Sequence, residues 1–328
     1  MDPLLLQVLN GHRPSQTPVW FMRQAGRFLP EYREVRKQYT FDQVLNDPQL
    51  SKQVTLQPIQ RFPKLDGAII FSDILIVLNA LGCRVSFEHG SPSIGRTLDQ
   101  ISIDDVVDYS HFDTVQKALK ATRLDLPSHV TLIGFAGAPW TLFAYACDGS
   151  NKNGWQKAKE FLSQKPLEAE AWLNKISKVT RDLLMLQIGA GAQVVQLFDS
   201  WAGDLSQDEY LSWALPFAEM TLKDLKVPRI YFPKMQELPP QLQLFDCEAL
   251  SISWESRMSL ARSSFPRKIL QGNLDPKTLL GEEDQLIKSV QSIMDEMKGH
   301  GHIFNLGHGI LPKTDPNVIQ RILDMVKP

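Results

Sequence analysis

Val130-Thr-Leu-Ile-Gly-Phe135 is a short apolar run rich in β-formers, and its value lies in its recurrence. Runs of the same kind stand at Val19–Met22, Ala68–Phe71, Gln193–Phe198, Arg229–Phe232, Ala249–Trp254, Lys268–Leu270 with Gln271, and His302–Leu306. Between them lie helical patterns with usable start signals: Asp47-Pro48, Ser206 followed three residues later by Glu209, and Asp315-Pro316. Eight strand-then-helix units in 328 residues predict an α/β chain folded as one (β/α)8 (TIM) barrel. The competing doubly wound sheet would open with Gly-x-Gly-x-x-Gly after its first strand, which this chain lacks. No low-complexity tract, repeat or linker-like break divides residues 1–328, so a single domain is expected. Arg84–Glu88, followed by a Gly/Ser/Pro stretch through Arg96, predicts a small hairpin inserted after strand two.

Composition narrows the partners. With 35 basic and 37 acidic residues the formal charge is −2, and no run of Lys or Arg offers a surface for nucleic acid or an anionic membrane. Cys83, Cys147 and Cys247 are odd in number, far apart and outside any Cys-x-x-Cys pair, which points to reduced thiols in a cytoplasmic setting rather than a disulfide framework or zinc. Leu4-Leu-Leu6 is too short for a signal-peptide core, and the longest apolar stretch, Ala68 to Leu81, is broken by Asp73 and Asn79. A soluble, untargeted chain is expected.

A barrel builds its site from the loops after its strands. After the first comes Met22-Arg-Gln-Ala-Gly-Arg27, which sets two guanidiniums in aromatic and aliphatic surroundings where Glu31 alone cannot match both. Either the fold brings them acids, or they await a multiply anionic ligand. After the second comes Asp73 within Ile69-Ile-Phe-Ser-Asp-Ile-Leu-Ile-Val77, a carboxylate that burial would drive toward its neutral form, or else a cap for the next helix. Later strands are followed by Tyr145, Asp199-Ser200, Asn273 with Asp275, and Gly307-His308-Gly309. Each has an ordinary structural reading as well: Tyr145 as core, Ser200 as a turn residue, His308 as a hydrogen-bonded loop residue. Whether Asp73 and Asp199 form a carboxylate pair is left open.

Met22-Arg-Gln-Ala-Gly-Arg27 with Leu29-Pro-Glu31, Phe71-Ser-Asp-Ile-Leu75, Gly134-Phe-Ala-Gly-Ala-Pro-Trp-Thr-Leu142, Gln196-Leu-Phe-Asp-Ser200, Gln271-Gly-Asn-Leu-Asp-Pro276 and Phe304-Asn-Leu-Gly-His-Gly309 together resemble the motifs of the uroporphyrinogen decarboxylase family, in that family's order, from about Leu4 to Val326. The resemblance implies a barrel, usually a homodimer, that needs no metal or organic cofactor and converts the four acetates of uroporphyrinogen III to methyls, giving coproporphyrinogen III in haem biosynthesis. It implies that Arg23, Gln24, Ala25, Gly26, Arg27, Asp73, Tyr145, Ser200 and His308 line the tetrapyrrole cleft, with Arg36 a weaker candidate. Asp73 would serve catalysis as an anion facing the pyrrole N–H groups. Arg23 is placed by its motif as a proton donor, although a guanidinium is a poor general acid, and water or a substrate carboxyl stands as the alternative. The chain departs from the family where Tyr231-Phe-Pro-Lys-Met-Gln-Glu237 lacks the usual glycines and Ser251-Ile-Ser-Trp254 carries Ser253 in place of an acid. Two other classes compete. A corrinoid-linked methyltransferase of the same superfamily would need a His-x-Cys, absent here, and a tetrapyrrole carrier would bind without releasing CO2.

Overall fold

The computed structural model describes residues 2–88 and 91–328. Nine strands are present: β1 (Gly67–Ile69), β2 (Val85–Glu88), β3 (Ser91–Ile94), β4 (Thr131–Gly137), β5 (Val194–Asp199), β6 (Arg229–Pro233), β7 (Ala249–Ser251), β8 (Ile269–Leu274) and β9 (His302–Leu306). Seven of them form one curled parallel sheet in the order β1-β4-β5-β6-β7-β8-β9, with α-helices between successive strands except between β6 and β7, where the expected helix is replaced by the short 3-10 helix Pro240–Gln243. The other two, β2 and β3, are the antiparallel pair expected after the second barrel strand, with Val85 opposite Ile94. Residues 89 and 90, inside the predicted hairpin, lie outside the described residues.

The expected first strand, Val19–Met22, is reduced to a single parallel bridge between Val19 and Phe304 of β9. Its backbone still fills the gap between the sheet's two edges. Phe304 N–H donates to Pro18 O at 2.8 Å on one side, and Asp66 N–H donates to Val19 O at 2.8 Å on the other. Beyond this point side chains replace the ladder: Gln24 Oε1 accepts from Phe21 N–H at 3.0 Å, and Asn305 Oδ1 accepts from Met22 N–H at 3.0 Å. The backbone groups are satisfied, but not in a strand pattern. Side-chain pairing also ends β1 early, since Phe71 N–H donates to Thr55 Oγ1 at 2.9 Å.

Residues alternate in and out along each strand, and the inward set makes a core of its own. Trp20, Met22, Ile133, Val194, Ile230, Phe232, Ala249 and Ile303 pack together inside the ring. Gln271 accepts from Trp20 Nε1–H at 2.9 Å and donates to Gln196 at 3.0 Å and Ser251 at 3.1 Å, so its amide ties together side chains from four places around the ring, leaving the Gln196 Nε2–H donors without a partner among the described residues. The amino-terminal end is stoppered by the helix Leu4–Leu9, whose Leu5, Val8 and Leu9 join the inner cluster. The loops that follow the strands gather at the opposite, carboxyl-terminal end. The anticipated helix caps are formed: Asp47 accepts from Gln49 and Leu50 N–H, Asp315 accepts from Asn317 N–H, and Ser206 with Glu209 makes a capping box.

Candidate active site

The loop after Val19 carries the charge. Arg23 holds φ at 60°, a left-handed conformation that a side-chain-bearing residue enters at a cost of about 1–2 kcal/mol. What holds it there is Gln24, which is buried, accepts from Phe21 N–H and donates to Gly67 O at 2.9 Å. Within the run Arg23 to Arg27, Gln24 is therefore turned into the scaffold, while Arg23 and Arg27 are exposed and Ala25 and Gly26 are half-buried between them. Their backbone N–H groups at Ala25, Gly26 and Arg27 donate to none of the described residues.

Neither arginine has a carboxylate within ion-pair distance among the described residues. Glu31, the nearest acid in sequence, belongs instead to Arg61, at 2.5 Å. Burial pushes the Arg23 guanidinium below its usual range and the charge of Arg27 adds to that push, with Tyr145 and Asp73 opposing it more weakly. Two mutually repelling cations without counter-ions are an unfavourable arrangement until an anion arrives. Arg36 stands apart, donating to Tyr39 O at 3.2 Å with its guanidinium 5.5 Å from the Phe41 ring centroid.

Asp73 lies in the loop between β1 and the helix Ile76–Ala80. That helix is capped at Leu75, and Asp73 turns its carboxylate back to accept from Leu75 N–H at 2.5 Å. It is half-buried, and desolvation by the surrounding protein raises its pKa to about 7. The Leu75 N–H and the charge of Arg23 oppose the rise, and Asp42 adds to it. Asp199 is a separate group. Fully buried at the end of β5, it accepts from Thr141 at 2.7 Å and from Tyr231 at 3.1 Å, with burial lifting it to about 6. Its neighbours are hydroxyls and its role is to join β5 to β6 and to the helix Pro139–Asp148. The two aspartates have different partners and do not form a dyad.

His308 follows β9 and is half-buried. Gly309 N–H donates to its Nδ1 at 2.6 Å, so the proton of the neutral ring sits on Nε2. Burial, with Arg23 and Lys234 nearby, pushes its pKa down to about 3, which keeps it a neutral N–H donor. Two glycines make this geometry possible. A Cβ at Gly307 would run into the Trp254 backbone, and one at Gly309 would run into the Arg23 side chain. Tyr145 is buried, its ring centroid 4.8 Å from that of Trp155 and 6.2 Å from that of Trp201, and desolvation raises its hydroxyl to about 12. Asp73 and Arg23 both act on it. Ser200 is half-buried immediately after β5.

Arg23, Arg27, Asp73, Tyr145 and His308 are thus linked by contact or by charge at the open end of the barrel, with Ser200 on the same rim. Sequence reasoning missed Trp201, Lys234 and Trp254. Lys234 Nζ lies 5.5 Å from the Trp201 ring centroid and 5.6 Å from that of Trp254, and Trp254 meets His308 edge-on at 5.7 Å. The available signal was positional, since all three follow barrel strands directly.

The fold and the sequence both have known counterparts. Among solved structures, the chain resembles a methyltransferase from Methanosarcina mazei with a TM-score of 0.80 at 17% identity, covering 98% of this chain and 96% of that one. It also resembles a B12-independent methionine synthase from Shewanella sp. W3-18-1, with a TM-score of 0.60 at 11% identity over 88% of each chain. At these identities the likeness is one of fold. Sequence relatives are nearer: the uroporphyrinogen decarboxylase of Chloroherpeton thalassium is 39% identical over 99% of this chain and 97% of its own, and that of Pelodictyon phaeoclathratiforme is 38% identical over the same shares. The model of the family described as Uroporphyrinogen decarboxylase (URO-D) matches residues 2–328, and the chain belongs to that family.

Proposed function

We propose that this protein decarboxylates uroporphyrinogen, converting its four acetate side chains to methyls to give coproporphyrinogen in porphyrin biosynthesis. The observation that carries the reading is the pair Arg23 and Arg27, exposed and without counter-ions, beside the carboxylate of Asp73. A ligand that answers both needs must carry carboxylates at its rim and N–H donors at its centre. A cyclic tetrapyrrole with eight carboxylates does so.

The chemistry follows from the charges. A proton added to the pyrrole carbon beside an acetate makes an iminium-like ring, the C–C bond to the carboxylate then gives its electrons to that ring, and CO2 leaves. Protonation of the resulting exocyclic methylene and loss of the ring proton restore the pyrrole, so each acetate takes up one proton and releases one CO2. The substrate is its own electron sink, and no external one is called for. Asp73 accepts from the pyrrole N–H groups and stabilises the cation as it develops, which requires the ionised carboxylate. Those N–H donors, together with Arg23, oppose the burial that lifts its pKa. Arg23, Arg27 and the Nε2–H of His308 grip carboxylates, while Tyr145 and Ser200 donate further hydrogen bonds. Because desolvation by the surrounding protein, with Arg27 nearby, lowers the Arg23 guanidinium, Arg23 is a better acid than a fully solvated arginine, but water or a substrate carboxyl serves the same step.

A thiolate-bound metal fits this chain less well. No group of three or more His, Cys, Asp or Glu side chains among the described residues is placed to hold one. No helix among the described residues is long and apolar enough to cross a membrane, and a cytoplasmic homodimer goes with the same reading. The deciding experiment incubates the protein with uroporphyrinogen under reducing, metal-free conditions and follows CO2 and the product by chromatography. Release of CO2 with stepwise loss of acetates is expected. Tight binding without CO2 would make the protein a tetrapyrrole carrier instead.

A further inference from the structure

Lys234 follows the last residue of β6, and the reaction above gives it no part. Around the barrel mouth the order is the Val19 segment, then β1, β4, β5, β6, β7, β8 and β9, which sets Lys234 four places from the loop of Arg23 and Arg27, on the far side of the ring. The ammonium is held over two indoles, Trp201 from the loop after β5 and Trp254 from the loop after β7. It is half-buried and donates to none of the described residues. Its charge reaches His308, which also meets Trp254.

The position across from it explains why no acid answers. The β6–β7 ladder ends at Tyr231 and Leu250, and counting on from that pair in the same register gives Ser253 as the residue that corresponds to Lys234. The Ser253 hydroxyl donates to Glu255 at 3.3 Å, and no carboxylate among the described residues comes within ion-pair distance of Lys234. Indole faces stabilise the cation from the sides but accept no hydrogen bond along its N–H directions. Those donors remain available to the cleft.

Resting on the proposed decarboxylation, we infer that Lys234 forms a second carboxylate seat, across the mouth from Arg23 and Arg27, with the Nε2–H of His308 between the two seats. A macrocyclic ligand with carboxylates around its whole perimeter spans both seats at once, whereas a ligand charged on one edge engages only one. Lys234 is therefore a specificity-determining residue that favours perimeter-charged tetrapyrroles, and it acts in capture and not in bond breaking.

The test measures kcat and KM for uroporphyrinogen in the wild type and in Lys234→Met, which keeps a flexible side chain between the two tryptophans. Lys234→Arg and Ser253→Asp complete the set. Lys234→Met is expected to raise KM about tenfold, the worth of one charge-assisted hydrogen bond, with kcat changed less than about twofold. Lys234→Arg should recover most of the loss, and Ser253→Asp, which supplies an internal counter-ion, should behave like Lys234→Met. An unchanged KM in Lys234→Met, or a fall in kcat alone, overturns the seat while leaving the decarboxylase reading intact. A wild type that releases no CO2 overturns both. Lys234→Met keeps the test independent of whether an acid is tolerated at the buried Ser253 position.

Discussion

The Arg23 side chain lies against the bare backbone of Gly309, so closely that a single added carbon on Gly309 would occupy the path of the guanidinium's stem. Gly309 has no left-handed φ, so alanine suits its backbone and only the contact is affected. Gly309→Ala should therefore move Arg23 without removing its charge. We expect kcat/KM to fall at least about tenfold, since a small displacement of a positioning group is enough for such a loss, with thermal stability nearly unchanged. Wild-type kinetics in a correctly folded Gly309→Ala would show that the placement of Arg23 does not matter.

Asp73 supplies a prediction about stability. Its native pKa, near 7, stands above the value for an unfolded chain, so between roughly pH 4 and 7 the folded state binds more protons than the unfolded one. Stability attributable to this group is present at low pH and lost as pH rises through about 7. Asn keeps the acceptor for Leu75 N–H and removes the charge. Asp73→Asn should then be more stable than the wild type at pH 8, by about 1–2 kcal/mol after allowance for water in the cleft. The gain should vanish toward pH 4. Denaturant midpoints at the two pH values measure it, and a destabilised variant at pH 8 would contradict the burial argument. Turnover should fall far more than substrate binding, because the carboxylate acts on charge that develops only in the reaction.

The same numbers assign the acid limb of the pH–rate profile. Asp73 titrates near 7 in the free protein, whereas His308 is held near 3 and stays neutral above it. kcat/KM should rise with pH as Asp73 ionises, and that limb should persist in His308→Asn even as KM increases through loss of the Nε2–H donor. Disappearance of the limb in His308→Asn would transfer the titration to the histidine.

What could be read in advance was what short-range chemistry controls. The caps at Asp47, Ser206 and Asp315 are local, and the β-rich runs fall at barrel strands because parallel strands covered on both faces are apolar throughout. The shortening of the first strand was not legible. It depends on Asn305, 283 residues from the Met22 N–H it satisfies. The distinction between Asp73 and Asp199 was equally hidden, since each ends an apolar run and only tertiary partners separate a cleft carboxylate from one enclosed by Thr141 and Tyr231. Lys234 was given no role from the sequence, because its setting depends on Trp201 and Trp254, which other loops bring to it.

Gln24 sits inside the arginine motif, yet its amide is a structural part. It accepts from Phe21 N–H and donates to Gly67 O, both buried, and so fixes the loop whose next-door residue holds φ at 60°. Gln24→Met preserves length and apolar bulk but leaves one buried donor and one buried acceptor unpaired. With about 1–3 kcal/mol for each such group, and partial relief by relaxation, unfolding free energy should drop by roughly 2–4 kcal/mol. Arg23 should lose its hold as well, so KM should rise in the fraction that remains folded. Urea titration measures the first effect and steady-state kinetics the second. A variant as stable as the wild type would show that the loop keeps its shape without Gln24, and would return the Gln24 amide to the pool of groups available to substrate.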